Sequence, residues 1–253
     1  MRGGGMIHYH GMSSGGGTVE DTLRLSHGRH VFVSYADAGK LEVISKVCST
    51  FALDNGAYSA WRRGDGYDFE GYEEFVRHWH RHPSYDWCVI PDVIDGSEDE
   101  NDELLARWPD ELGGVPVWHM DESLERLDRL AGSYGRLALG SSGVYDVVGS
   151  EGWWSRMGKV LDLICDERGR PKVKLHGMRM LNWRIFTKIP LSSADSTNAE
   201  RNSMETTRIN RGWNYRPRTR GQRASVIACV TESHQSAETW EGVKQDELKL
   251  EYA

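Results

Sequence analysis

The chain has 253 residues, a net charge of -7 and 38% hydrophobic residues, with ten Trp among them. That is enough apolar material for one large domain with a buried core, and too little length for two full ones. No apolar run approaches the ~18 residues that a membrane span needs, and the acidic balance means that any nucleic-acid binding would rest on a local basic patch.

The N-terminal segment MRGGGMIHYHGMSSGGG carries one early Arg but no apolar core of a signal peptide, so a cytoplasmic location is expected. Its glycines lack the Lys and Ser or Thr of a phosphate loop and read as coil. From residue 6 onward, eight short β-like runs follow: MIHYHGM (6–12), HVFVSYAD (30–37), TFALDNGAY (50–58), DWCVIPDVI (86–94), VPVWHM (115–120), RLALGSS (136–142), VKLHGMRM (173–180) and LSSAD (191–195). Between them lie DTLRLS, KLEVISKVC, YEEFVRHWHRH, DELLARW, SLERLDRLAGSY, WWSRMGKVLDLICDERG and NWRIF, several with apolar residues three and four apart. This alternation is the βα unit. Eight units predict a single-domain α/β protein over residues 1–253, a (β/α)8 TIM-like barrel with its active site at the C-terminal strand ends. A doubly wound open sheet is the alternative. After the eighth run comes an Arg-rich stretch, 208–223, and then a segment that reads as a closing helix over about 224–250.

Acids dominate the strand ends: Asp54 on the third, Asp92 on the fourth, Asp195 on the eighth. His119 ends the fifth, Gly140 and Ser141 the sixth, His176 and Gly177 the seventh. Taken singly, an Asp after a strand is more often a turn or cap residue, and a glycine there a turn glycine. Three carboxylates at one barrel mouth instead suit glycosidic chemistry, in which one acid attacks or stabilises an anomeric carbon and another moves protons. Tyr58 and Met178 are either core or pocket residues. His78 and His82 have the i, i+4 spacing of metal ligands but no evident third ligand, and Cys229 with His234 is a weaker pair. Cys48, Cys88, Cys165 and Cys229 lie far apart, which points to buried free thiols rather than disulfides or a zinc ribbon. Arg208, Arg211, Arg216, Arg218, Arg220 and Arg223, interleaved with Trp213 and Tyr215, form the local basic patch, with a solvated loop as the plainer reading.

In order along the chain, these segments resemble the tRNA-guanine transglycosylases and their DNA-acting relatives, the deazapurine-in-DNA protein A enzymes of phages and bacterial islands. LDNGAYSAW is similar to the family's Asp-Ser-Gly-Gly-Phe segment, CVIPDVID to the guanine-reading segment, LALGSSG to the Gly-rich strand end, and SSADSTNAERN to the nucleophile segment. The resemblance implies that Asp195 is the nucleophile and Asp54 the general acid/base. It also implies that Asp92, Tyr58, His119, Gly140, Ser141, His176 and Gly177 bind the base, with His119 standing where the tRNA enzymes have Gln. The Cys-rich zinc site of the tRNA enzymes is missing, which favours DNA as substrate. The implied reaction exchanges guanine in DNA for a free 7-deazaguanine such as preQ0, through a covalent Asp-deoxyribose intermediate. It would need no redox cofactor, ATP or catalytic metal, and would take place in the cytoplasm, a host's if the gene is a phage's. DNA with its guanine flipped out and the free base are the expected partners, with no membrane; homodimer formation is left open. The alternatives are a tRNA-guanine transglycosylase, a base-excising N-glycosidase using the same two carboxylates, and a non-catalytic binding barrel.

Overall fold

The computed structural model describes residues 5–12, 18–64, 66–203 and 217–242. Every one of the eight β-like runs forms a strand: β1 (Ile7–Gly11), β2 (His30–Ser34), β3 (Thr50–Asp54), β4 (Tyr85–Cys88), β5 (Val117–His119), β6 (Arg136–Gly140), β7 (Lys174–Gly177) and β8 (Ser193–Ser196). All pairings are parallel, in the order β4-β3-β2-β1-β8-β7-β6-β5. A parallel bridge between Val89 and Val115 joins the two outer strands. There Ile90 N–H donates to the Val115 carbonyl at 2.9 Å and Val115 N–H to the Cys88 carbonyl at 2.8 Å. That bridge closes the sheet into a (β/α)8 barrel and removes the open-sheet alternative.

The strands are wrapped by α1 (Val19–Ser26), α2 (Leu41–Ile44), α3 (Ala57–Arg63), α4 (Phe69–Trp79), α5 (Glu98–Arg107), α6 (Leu124–Ser133), α7 (Glu151–Ile164), α8 (Trp183–Phe186), α9 (Asn198–Asn202) and α10 (Arg220–Glu232). Local chemistry sets their starts. Ser97 with Glu100 and Thr219 with Gln222 form capping boxes on α5 and α10, and Ser123 and Ser150 cap α6 and α7. On α7, Trp153, Trp154, Met157, Val160, Leu161 and Ile164 are all buried, a stripe at spacings of three and four that seals one side of the barrel.

Period-two alternation then decides what faces inward. Tyr9, Phe32, Ala52, Trp87, Val89, Val115, Val117 and Ala138 pack together inside the barrel. Leu53, Leu139, Leu175 and Ala194 belong instead to the layers under the helices. The ring of His176 lies against Trp87, Phe32 and Tyr9 at centroid distances of 4.7, 5.5 and 5.9 Å. The barrel interior is therefore a packed core.

Several expectations are corrected. Two short helices, α3 and α9, follow the strands that carry Asp54 and Asp195; neither is among the helical segments read from periodicity. The helix expected over about 224–250 starts earlier, at Arg220, and ends at Glu232, with residues 233–242 outside it; 243–250 lie outside the described residues. Beyond it the chain docks across the barrel, with Ala237 N–H donating to Phe186 O at 3.2 Å and Trp240 N–H to Gly169 O at 2.7 Å. Those tertiary bonds replace a further helical turn. α4 ends at Trp79, so His82 is off the helix and its i, i+4 relation to His78 places no shared ligand face. His82 accepts a hydrogen bond from Ser84 N–H at 3.1 Å and packs on Phe51. All four cysteines are free thiols, but only Cys88 is buried and Cys229 is exposed.

Candidate active site

Asp195 sits within β8, paired in register with Tyr9 of β1. It is not a turn residue. Its inward direction follows from Ala194 facing the helical layer and Ser193 bonding to His176 inside the barrel. One carboxylate oxygen, Oδ1, accepts the backbone N–H of Arg179 at 2.8 Å, and its own carbonyl accepts Leu181 N–H at 3.0 Å. The loop after β7 thus fixes the last strand's acid in place. Arg179 holds the left-handed region at φ 59°, a conformation uncommon for a residue with a side chain. Its guanidinium donates to the Ser141 carbonyl at 2.9 Å and lies 5.1 Å over the Tyr58 ring. This one residue connects the ends of β3, β6, β7 and β8.

Asp54, the last residue of β3, faces the same mouth. Burial is the largest cause raising its pKa, and the charges of Asp195 and Asp92 raise it further. The Ser34 hydroxyl and Gly56 N–H oppose this by favouring the ionised form, and the net result is a carboxyl pushed up to about 7. Gly56, at φ 79°, turns the chain from β3 into α3; a side chain there would be strained and would press on the backbone of Ala36.

Asp92 follows the bridge that closes the barrel and is held from both sides. Asn55 Nδ2 donates to Oδ1 at 2.5 Å, and His119 Nε2 pairs with Oδ2 at 2.7 Å. Burial by itself lowers the pKa of His119, but the Asp92 hydrogen bond and charge, with Glu122 and Asp121 behind them, raise it above its usual value. Glu122 accepts the His119 N–H at 2.9 Å and is anchored by Arg126 at 2.6 Å and Asn101 at 3.1 Å. An ionised carboxylate offers about four acceptor positions, so Asp92 retains capacity for a ligand donor.

The other expected pocket residues divide. Gly140 lies beside His119, and a side chain there would meet His119 Nδ1 and Val117 Cγ1, each at 3.2 Å, so this glycine makes room for the imidazole. Ser141 commits its hydroxyl to Trp153 Nε1 at 2.9 Å and its carbonyl to Arg179. Gly177 faces away from the mouth, because a side chain there would strike Leu191 and Met180 at 2.8 Å in the helical layer. His176 lies directly beneath Asp195, fully buried, and burial lowers its pKa. Met178 packs against the interior cluster, and Tyr58 is 40% exposed at the rim.

Of the basic stretch, Arg208, Arg211, Trp213, Tyr215 and Arg216 lie outside the described residues. Arg220 and Arg223 reach back to α9: Arg220 lies 3.4 Å from Glu200, and Arg223 Nε donates to Ser203 O at 2.5 Å. Arg223 also donates to the Arg218 carbonyl at 3.1 Å. These contacts dock α10 behind the helix that follows Asp195, which gives Arg220 and Arg223 a structural role that charge counting does not reveal.

With that geometry defined, the comparisons bear on the fold. The chain is similar to a (β/α)8 barrel. That structure is a protein from Coccidioides immitis assigned as a fructose-1,6-biphosphate aldolase, matched at TM-score 0.53 and 14% identity over 90% of this chain and 88% of the other. The chain matches no family model and no curated protein. At that identity the likeness carries the barrel and nothing of the chemistry.

Three residues at the mouth escaped the sequence reading. Asn55 stood beside Asp54 in the quoted segment, and Arg179 near the end of the seventh run, so position alone could have nominated both. Tyr67 gave no signal. Its hydroxyl is buried without a hydrogen-bond partner, and the charges of Asp92 and Asp54, after burial itself, push its pKa up.

Proposed function

We propose that the protein is an enzyme that exchanges guanine in DNA for a 7-deazaguanine base. The observation that carries this reading is the division of labour among three carboxylates at one barrel mouth. Asp54 has a pKa of about 7, suited to giving and taking protons near neutrality. Asp195 is held by a main-chain N–H above a neutral imidazole, positioned to attack. Asp92, with His119 and Asn55, forms a donor-and-acceptor edge of the kind that reads a flat heterocycle.

In the proposed reaction the deoxyguanosine leaves the base stack, at a cost of a few kcal/mol, to enter the mouth. An Asp195 carboxylate oxygen bonds to C1′ as the C1′–N9 bond breaks, and protonated Asp54 gives its proton to the departing guanine. The resulting glycosyl ester has inverted configuration. An incoming 7-deazaguanine attacks C1′ with its N9, releases the Asp195 carboxylate and returns a proton to Asp54. Two inversions retain the β-linkage, and Asp92 with His119 selects the base edge in both halves.

The test is nucleoside analysis of DNA incubated with the protein and labelled guanine or 7-cyano-7-deazaguanine. Labelled deoxynucleoside in DNA, together with a covalent DNA adduct mapped to Asp195, is the expected result. Free base with abasic sites and no incorporation would reassign the chain to base excision, and label entering tRNA alone would reassign the substrate.

A further inference from the structure

We propose that Tyr58 and Trp61 form a stacking platform for nucleotides flanking the reacting one, so that the substrate strand crosses the barrel mouth single-stranded. The proposal rests on the nucleic-acid reading of the site. Large aromatic side chains are mostly buried in folded proteins, yet Tyr58 is 40% and Trp61 48% exposed. They occupy positions i and i+3 of α3, the helix that starts directly after Asp54, and so share one helix face. Their rings lie 5.8 Å apart and 35° from parallel.

The pair is held in place rather than merely left outside. Trp61 Nε1 donates to Asp95, in the loop after β4, at 3.0 Å. The Arg179 guanidinium lies 5.1 Å over the Tyr58 ring and is itself bonded to the Ser141 carbonyl at 2.9 Å. Residues from three different βα loops thus fix two exposed rings at the edge of the carboxylate pocket. Arg62 and Arg63 follow on the same helix, both exposed. Exposed aromatic faces beside arginines suit a chain that alternates flat rings with phosphates, because stacking accepts any base and the cations meet the backbone. A neutral oligosaccharide also stacks on aromatic rings but carries no phosphate for the arginines. Paired bases in a duplex hide the ring faces that the platform needs.

The experiment uses the full chain and fluorescently labelled oligonucleotides, single-stranded and duplex, with anisotropy for binding and base incorporation for turnover. Trp61→Ala should weaken single-strand binding and raise the oligonucleotide KM by about ten-fold, with kcat at saturation little changed, and Trp61→Phe should recover most of the loss. Duplex binding should be the weaker and should depend less on Trp61. If the wild type exchanges bases while Trp61→Ala binds single strands unchanged, the platform is overturned and the exchange reading stands. If the wild type exchanges nothing but single-strand binding still falls in Trp61→Ala, the platform stands and exchange fails. Competition by a neutral oligosaccharide as effective as the oligonucleotide, or no oligonucleotide binding by the wild type, overturns the platform.

Discussion

Nε2 of His176 lies 3.4 Å from Oδ1 of Asp195 and makes no hydrogen bond, while Nδ1 of the same ring pairs with Ser193 Oγ at 2.9 Å. The two groups are close enough to interact electrostatically, but they are not aligned to share a proton. Burial holds the imidazole neutral by lowering its pKa. A protonated ring there would occupy the carboxylate that the proposed reaction needs free.

That buried imidazole makes the fold sensitive to acid. In an unfolded chain it titrates near 6.5, so as pH falls through that value the unfolded state binds a proton that the folded state refuses. Stability is therefore lost from about pH 6.5 downward until the lower folded pKa is passed. His176→Phe keeps the ring contacts with Trp87 and removes this contribution. Its urea midpoint should fall less between about pH 7.5 and pH 5 than that of the wild type. An equal fall in both proteins would show that His176 does not titrate as its burial implies.

Asp54 acts in the opposite direction. Its folded pKa, about 7, is above the ordinary carboxyl range, so between about pH 4 and pH 7 the folded state keeps a proton that the unfolded state releases. Its ionisation penalty is absent below that window and fully developed above it. Asp54→Asn should stabilise the protein by on the order of 1–3 kcal/mol at pH 8, with little gain at pH 4. The same variant should lose base exchange by about 10²–10⁴-fold. Urea titrations at both pH values, run beside incorporation assays, check the two effects.

The Asp92–His119 pair is testable by direct titration. Burial is the largest single influence on the His119 pKa and lowers it, but the Asp92 hydrogen bond and charge, with Glu122 and Asp121, together raise it above its usual value. Replacing the acid by Asn should drop that pKa below 6.5, followed through the imidazole proton shifts by NMR. Base exchange should fall through KM for the free base more than through kcat. An unmoved His119 titration would mean that Glu122 and Asp121, not Asp92, hold its charge.

Tyr67 offers a separation of stability from function. A buried hydroxyl without a partner costs about 1–3 kcal/mol, so Tyr67→Phe should leave the melting temperature unchanged or raise it. If that hydroxyl meets the bound base or sugar beside Asp54 and Asp92, kcat/KM should drop by about ten-fold. Full activity in a stabilised Tyr67→Phe protein would make the hydroxyl a packing feature only.

Much of the architecture was legible in the linear chain, because eight apolar runs alternating with helical periodicity have few ways to bury their faces other than a barrel. Strand ends were legible too, so Asp54, His119, Gly140 and Asp195 reached the mouth, whereas His176, expected in the base pocket, lies fully buried beneath Asp195. What the small neighbours of Asp195 do was not legible. Ser193 pairs with His176, Ala194 fills the helical layer, Ser192 donates to the Leu175 carbonyl at 2.7 Å and Ser196 accepts Asn198 N–H at 3.0 Å. Their size therefore answers to strand packing and turn geometry. Gly177 faces outward for the same reason of parity, since His176 beside it faces in.

Residue identity and two-residue periodicity, both local properties, determined which elements form and which acids end the strands. Only the closed barrel decided which groups share an environment. The raised pKa of Asp54, the clamp of Asn55 and His119 on Asp92, and the reach of Arg179 from β7 to Tyr58 and Ser141 depend on contacts between residues 27 to 141 positions apart along the chain. Such contacts exist once the bridge from Val89 to Val115 closes the ring, because closure brings the ends of all eight strands around one opening and excludes water from the charges it collects there.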